Sequence, residues 1–353
     1  MESDLQIRKP TLIINKDKVL SNLRYMILKA QNAGAELHPH YKTHQSPEVG
    51  FWALGEGINK ITVSSVSMAE KFTEQAYDEI TIAFPVNRLE IDNINRLAER
   101  CNLVLTVSSE SAVLFLNKHL KHPAGISIKI DTGYGRAGIL PEQSNIIEDI
   151  IHSVNTSDIL SLHSFMAHSG HNYQTDEASV ILENHKKTVE QLDRLKITYK
   201  LKTSLGDTPA CTLADDFGNT NILRPGNFFY YDLMQYRKTV CNLDDIAVSV
   251  LCPVVAKKPD KNEIILYGGA VHFSKEYLEM PGGEKNFGQP VIRHSSGPEI
   301  PEATYLRALS QEHGILKCSK DFFNTVEEGD LLEILPVHSC LTANLLLNSS
   351  VVI

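Results

Sequence analysis

The chain has 353 residues, of which 42% are hydrophobic and 22% charged, with a formal net charge of −9. That balance is ordinary for a soluble globular protein and argues against broad nucleic-acid or anionic-membrane binding, both of which need a positive surface. The length predicts two domains, or one barrel with an appendage.

In chain order, the opening "MESDLQIRKP" is charged and polar, so no secretory signal is expected, and no apolar run approaches the ~18 residues of a membrane span. "TLIIN" (residues 11–15) is the first strand-like run and is a candidate to pair with a later domain. Eight further short apolar runs follow: "AELHPHYK", "KITVSSV", "EITIAF", "LVLTVS", "ISIKID", "LSLHSFMA", "YKLKTS" and "NILRPG". Between them lie segments of helical period such as "SMAEKFTEQAYD", "PEQSNIIEDIIHSV" and "EASVILENHKKTVEQLDRL". This alternation predicts an α/β fold, a TIM-like (β/α)8 barrel over residues 16–244, with an open parallel sheet as the alternative.

After residue 244 helical periodicity fades. "IAVSVLCPVVAKKP", "NEIILYGGAVHF", "TYLRALSQEHGILKCS" and "GDLLEILPVHS" read as strands, and "EMPGGEKNFGQP" as an exposed loop. Residues 245–353, with residues 1–15, are expected to form a β-rich C-terminal domain. Six cysteines (Cys101, Cys211, Cys241, Cys252, Cys318 and Cys340) show no paired spacing, as expected of reduced thiols in the cytoplasm.

Catalytic groups of such barrels sit at the C-terminal ends of the strands. Lys42 ends the first run, in "HPHYKTH", and Ser46 of the following "SPE" signals a helix start. Asp131 and Arg136 follow the fifth run; His168, His171 and Tyr173 follow the sixth. "TSLGDTP" and "LRPGNFFYYD" close the last two with small residues able to present backbone N–H groups to an anion. A reactive lysine, an anion cradle and an arginine at one mouth suit pyridoxal 5'-phosphate, whose aldehyde forms a Schiff base with lysine. Each motif also has a plainer reading: a solvated lysine, an arginine bracing Asp131, a core tyrosine, simple turns.

Together "HPHYKTH", "IDTGYGRAG", "HSGHNY", "SLGDTP", "LRPGNFFYYD" and the late "PVHSC" resemble the fold type III pyridoxal-phosphate enzymes, with an alanine racemase-like N-terminal barrel. Within them the chain resembles the D-serine dehydratase and D-threonine aldolase group, over nearly its whole length. The resemblance implies that Lys42 holds the cofactor and acts as base at Cα. It places Arg136 at the phenolic oxygen and Tyr173 at the pyridine nitrogen, with His168 also at the cofactor. Ser204, Gly206, Thr208, Gly226 and Asn227 would cradle the phosphate. His338 and Cys340 resemble the group's divalent-metal pair, which would polarise a substrate β-hydroxyl.

On an extended strand His338 and Cys340 would share one face, and imidazole plus thiolate suits Zn2+, with Mn2+ or Mg2+ as alternatives. His38, His40, His44, His171 and His313 have no assigned role, and Glu312 with His313 is a possible substrate contact. Three departures, His38 for a frequent arginine, Gln45 for a frequent lysine and Ala210 in "TPA", touch the electrostatic surroundings of Lys42 and the phosphate loop. The His-x-Cys pair resembles the dehydratases, and a His-x-Asp pair the aldolases. The expected function is therefore a lyase acting on a small D-amino acid, D-serine or a β-substituted relative, with D-threonine aldolase as the alternative. An amino-acid racemase and a non-catalytic cofactor carrier are weaker alternatives. A homodimer is implied by the resemblance alone.

Overall fold

The computed structural model describes residues 6–353. The chain divides into two compact units, one of residues up to Asn22 with Phe229–Ile353, the other Leu23–Phe228. Among the described residues no helix is long and apolar enough to cross a membrane.

Strand β1 (Thr11–Ile14) belongs to the first unit, and helix α1 (Lys16–Asn32) leads from it into the second. The second unit then takes strands β2 (Glu36–Leu37), β3 (Lys60–Val63), β4 (Glu79–Pro85), β5 (Leu103–Val107), β6 (Ala124–Lys129), β7 (Leu160–Met166), β8 (Lys202–Leu205) and β9 (Ile222–Leu223). Their order is β2-β9-β8-β7-β6-β5-β4-β3, and every pair is parallel. At the remaining seam a parallel bridge joins His40 to Thr62: Tyr41 N–H donates to Thr62 O (2.8 Å) and Thr62 N–H to Pro39 O (3.0 Å). The architecture is therefore the expected barrel rather than an open sheet. All eight expected runs supply a strand.

Two local expectations shift. "AELHPHYK" yields only two residues of regular strand, because Pro39 has no N–H for the ladder and the chain turns at Tyr41. "SMAEKFTEQAYD" is helical only within Val66–Glu70; beyond it the chain turns so that Phe72 and Tyr77 pack edge-on against Tyr41, with ring centroids 5.1 and 5.8 Å away. The "SPE" signal holds: Ser46 caps helix α2 (Pro47–Gly55), its side chain accepting Val49 N–H, with Pro47 in the first turn. Strands β5 and β6 are buried along their whole length, the pattern of a parallel sheet covered on both faces.

In the first unit β10 (Val248–Lys258) is the centre of an antiparallel sheet. It pairs with β1, with β11 (Glu263–Tyr267) and with the strand Leu331–Pro336. β1 also pairs in parallel with Ser350–Val352, so "TLIIN" does join this sheet. "NEIILYGGAVHF" stops being strand at Tyr267; the Gly-Gly step breaks it and Ala270–Phe273 turns helical. "EMPGGEKNFGQP" carries a minimal hairpin whose exposed tip, Gly282 and Gly283, has positive φ.

One correction concerns His338 and Cys340, expected on an extended strand. The strand ends at Pro336, His338 occupies the N-cap position of the helix Ser339–Leu345 without a side-chain capping bond, and Cys340 lies in its first turn. The buried Asp232 carboxylate causes this: its Oδ2 accepts Ser339 N–H (2.9 Å) and the Ser339 hydroxyl (3.2 Å), and a carboxylate at that place starts a helix.

Candidate active site

The site is built from the C-terminal ends of the barrel strands. After β2, Tyr41 is buried in the aromatic cluster, and this fixes the turn that exposes Lys42. The Lys42 N–H donates to Nδ1 of His40 (3.3 Å). His44 faces the opposite way, 4.4 Å from Tyr41 by ring centroids, and burial lowers its pKa to about 3.

After β6, Asp131 is the brace of its loop. One oxygen accepts the N–H groups of Gly133 (3.0 Å), Tyr134 (2.9 Å) and Gly135 (3.1 Å), a nest that gives the exposed Arg136 a defined origin. The Arg136 guanidinium lies 4.9 Å over the Tyr134 ring. After β7, His168 Nδ1–H donates to Gly206 O (2.6 Å), and the hydroxyl of Tyr173 accepts Thr208 N–H (3.2 Å).

The last two strands are joined by a buried arginine. Arg224 Nε–H donates to Ser204 Oγ (2.6 Å), and Nη2 donates to Ala167 O (2.6 Å) and Ser204 O (3.3 Å). Asp207 caps the helix Thr208–Leu213, accepting Ala210 N–H (2.9 Å) and the Asn172 amide (3.2 Å).

Of the residues picked from sequence, Lys42, Arg136, His168, Tyr173, Gly206, Gly226 and Asn227 line one inner chamber of about 50 Å3. An outer chamber of about 330 Å3 shares His40, Lys42, Ala83, Lys129 and Arg136 with it. Ser204 and Thr208 do not line the chamber. Both are buried behind it, the first held by Arg224 and the second accepting Phe228 N–H (3.2 Å). His38 lies at the opposite end of the strands with Glu36 (3.0 Å) and Glu79 (3.5 Å). His171 packs beside Tyr134, and His313 is an exposed strand residue of the other unit.

Sequence reasoning missed Lys129, Asp207 and Arg224, and left His40 unassigned. A signal existed for the first: in "ISIKID" a lysine sits on the face opposite Ile126, Ile128 and Ile130. Arg224 and Asp207 carried none, since each resembles a surface charge in a turn.

The chamber is cationic. Lys42, Lys129, Arg136 and Arg224 line it against one carboxyl, Asp207. Burial raises the Asp207 pKa to about 6, against its hydrogen bonds from Ala210 and Asn172. Burial holds His40 and His168 well below the ordinary histidine range, and the neighbouring cations add to this, so both are neutral at pH 7. Among the described residues the N–H groups of Gly206 and Gly226 donate to no protein acceptor. Unspent donors and cations around an exposed lysine amine fit a cofactor that carries a phosphate and an aldehyde.

His338 and Cys340 meet through a side-chain hydrogen bond, and buried His338 Nδ1 has no hydrogen-bond partner. Glu276 Oε2 lies 4.0 Å from that nitrogen. Among the described residues no group of three or more His, Cys, Asp or Glu side chains could hold a metal. An orphaned imidazole nitrogen beside a thiol fits a two-ligand site whose other positions go to water and substrate.

Comparison with known proteins gives two family matches: "Alanine racemase, N-terminal domain" over residues 14–233 and "Putative serine dehydratase domain" over residues 247–352. A D-serine dehydratase of Dictyostelium discoideum is 28% identical over 96% of this chain and 91% of its own. The D-threo-3-hydroxyaspartate dehydratase of Delftia sp. is 26% identical over 96% and 92%. Its solved structure superposes with a TM-score of 0.86 over 97% of this chain and 93% of that one. Solved variants of D-threo-3-hydroxyaspartate dehydratase replace a histidine and a cysteine two positions apart, the cysteine variant in a metal-free form. D-threonine aldolase from Filomicrobium marinum, 19% identical, shares the fold with a TM-score of 0.80 over 96% and 92%.

Proposed function

The chain belongs to the alanine racemase N-terminal domain family, among the fold type III pyridoxal-phosphate enzymes, and from that premise we propose that it is a pyridoxal-phosphate- and metal-dependent lyase of D-β-hydroxy amino acids. The observation that carries the reading is the single chamber joining exposed Lys42 to Arg136, Tyr173 and the unspent Gly206 and Gly226 N–H groups. Residues 16–244 would be the cofactor domain, and 1–15 with 245–353 the metal domain of a cytoplasmic homodimer.

The roles follow from placement. Lys42 would carry the cofactor through its amine and, once displaced, take the proton from Cα. Arg136, tethered by the Asp131 nest, would face the phenolic oxygen, and His168, neutral and fixed to Gly206 O, would be a wall against the ring. Tyr173, oriented by Thr208 N–H, would meet the pyridine nitrogen with a neutral hydrogen bond. Gly206, Gly226 and Asn227 would receive the phosphate; Ser204 and Thr208 would support them from behind. When bound, the cofactor supplies an electron sink for charge at Cα. His338 and Cys340 would hold the metal, Zn2+ by their nitrogen and sulfur donors, and a metal there supplies a Lewis acid for a poor hydroxide leaving group. The histidine and cysteine variants of D-threo-3-hydroxyaspartate dehydratase support this pair by the same two-position spacing.

The His-x-Cys pair favours dehydration, giving a 2-oxo acid and ammonia from D-serine or a relative. A D-amino-acid panel scored for both ammonia and aldehyde tests it. Pyruvate and ammonia from D-serine are expected. Glycine and acetaldehyde from D-threonine would instead make the enzyme an aldolase. Borohydride should fix the cofactor to Lys42, and reduced cofactor on any other lysine would sink the site assignment.

A further inference from the structure

Lys129 is 6% exposed and ends β6, where it lines both the inner and the outer chamber. Among the described residues its ammonium makes no hydrogen bond and no ion pair. A buried amine without a partner is costly unless something arrives to pair with it. The residues around it supply no partner. Arg224 and Arg136 repel it, and Asp131, the one attracting acid, has an oxygen occupied by three backbone N–H groups. Lys42, His40 and His168 also face this space and none is an anion, while Asp207, the carboxyl of the inner chamber, is spent on Ala210 N–H and the Asn172 amide. Burial and the two arginines lower the Lys129 pKa to about 7, the expected state of an amine awaiting a negative charge.

The other cations have uses that leave this one over. Arg224 is spent on Ser204 and Ala167, Lys42 is the reactive amine, and Arg136 stands on its own loop. The proposed phosphate cradle lies past β8 and β9, whereas Lys129 sits at the end of β6, where the inner and outer chambers meet. The outer chamber has no acidic side chain in its lining.

We propose that Lys129 anchors the α-carboxylate of the amino-acid substrate and so determines specificity for a free carboxylate. The proposal rests on the amino-acid-lyase reading only for the identity of the ligand. A substrate with its carboxylate masked as an amide loses the ion pair and leaves Lys129 buried and unpaired.

The test uses the cofactor-loaded protein and propionate, which has the carboxylate but neither amine nor hydroxyl. Calorimetry should show propionate binding and propionamide not binding. Lys129→Met should weaken propionate at least about tenfold, the effect of losing one charge-assisted hydrogen bond. Lys129→Arg should stay within about threefold, and the visible band of the cofactor should not move in either variant. Equal propionate affinity in wild type and Lys129→Met overturns the proposal. So does a moved cofactor band with unchanged propionate binding, which would place Lys129 on the cofactor. A wild-type measurement covers a misfolded variant: propionate, and not propionamide, should slow acetic anhydride labelling at Lys129 by mass spectrometry, and an unchanged rate rules the anchor out. A protein that binds propionate through Lys129 yet turns over no D-amino acid sinks the lyase reading and leaves this one standing.

Discussion

Gly226 stands so close to His40 that a Cβ built on it would lie 2.5 Å from the His40 carbonyl oxygen. The His40 N–H in turn donates to Pro225 O (2.8 Å), so the end of β9 and the turn presenting Lys42 are sewn together backbone to backbone. Gly226→Ala should push them apart, at an overpacking cost of roughly 1–3 kcal/mol. Cofactor affinity, titrated by visible absorbance, should fall about ten- to a hundredfold. An unchanged affinity would mean that the contact does not set the cradle.

Arg224 should be the most stability-sensitive residue of the site. Its guanidinium satisfies Ala167 O, Ser204 O and Ser204 Oγ in a fully buried place. Arg224→Met strands these acceptors and should cost roughly 2–4 kcal/mol in urea unfolding. Arg224→Lys should recover only part, because an ammonium cannot reproduce the planar fork. Full recovery by lysine would show that charge alone matters there.

Asp207 gives a pH dependence with a definite sign. Its carboxyl titrates near 3.8 in the unfolded chain and about 6 in the folded one, raised chiefly by burial. The native state therefore binds the extra proton between those values, and stability falls as pH rises from about 4 to about 6. The penalty, on the order of 3 kcal/mol, is present in full above pH 6. Asp207→Asn keeps a capping oxygen for Ala210 N–H and should remove this slope. Unfolding of the two proteins at pH 4.5 and 7.5 checks it: the variant should gain on wild type at the higher pH, and a constant difference would leave Asp207 ionised throughout.

The His338–Cys340 pair and the barrel chamber should be chemically separable, since a metal held by that pair would serve the leaving group and not cofactor binding. Chelation or Cys340→Ala should spare the visible band of the cofactor while elimination from D-serine falls by orders of magnitude, at about 1.36 kcal/mol per tenfold. β-Chloro-D-alanine, whose leaving group needs no Lewis acid, should lose far less. Equal losses on both substrates would make Cys340 structural.

Much of this protein was legible in its sequence because the signals are local. The alternation of apolar runs with helical periods predicts the barrel, and the positions of Lys42, Arg136, His168 and Tyr173 just past strand ends place them at one mouth. Gly206 and Gly226 are legible for the same reason: a tight backbone approach leaves few residue types possible. Tertiary structure decided the rest. Whether His338 and Cys340 sit on a strand or a helix depends on Asp232, more than a hundred residues earlier, whose carboxylate caps Ser339. Whether Ser204 and Thr208 face the chamber or support it depends on Arg224 and on Phe228 N–H, partners that no spacing rule reveals. The alternation in "ISIKID" singles out Lys129, but its burial beside Arg136 and Arg224 exists only once the barrel closes around it. Burial and the company of other charges are sums over the whole fold, and only the folded chain fixes them.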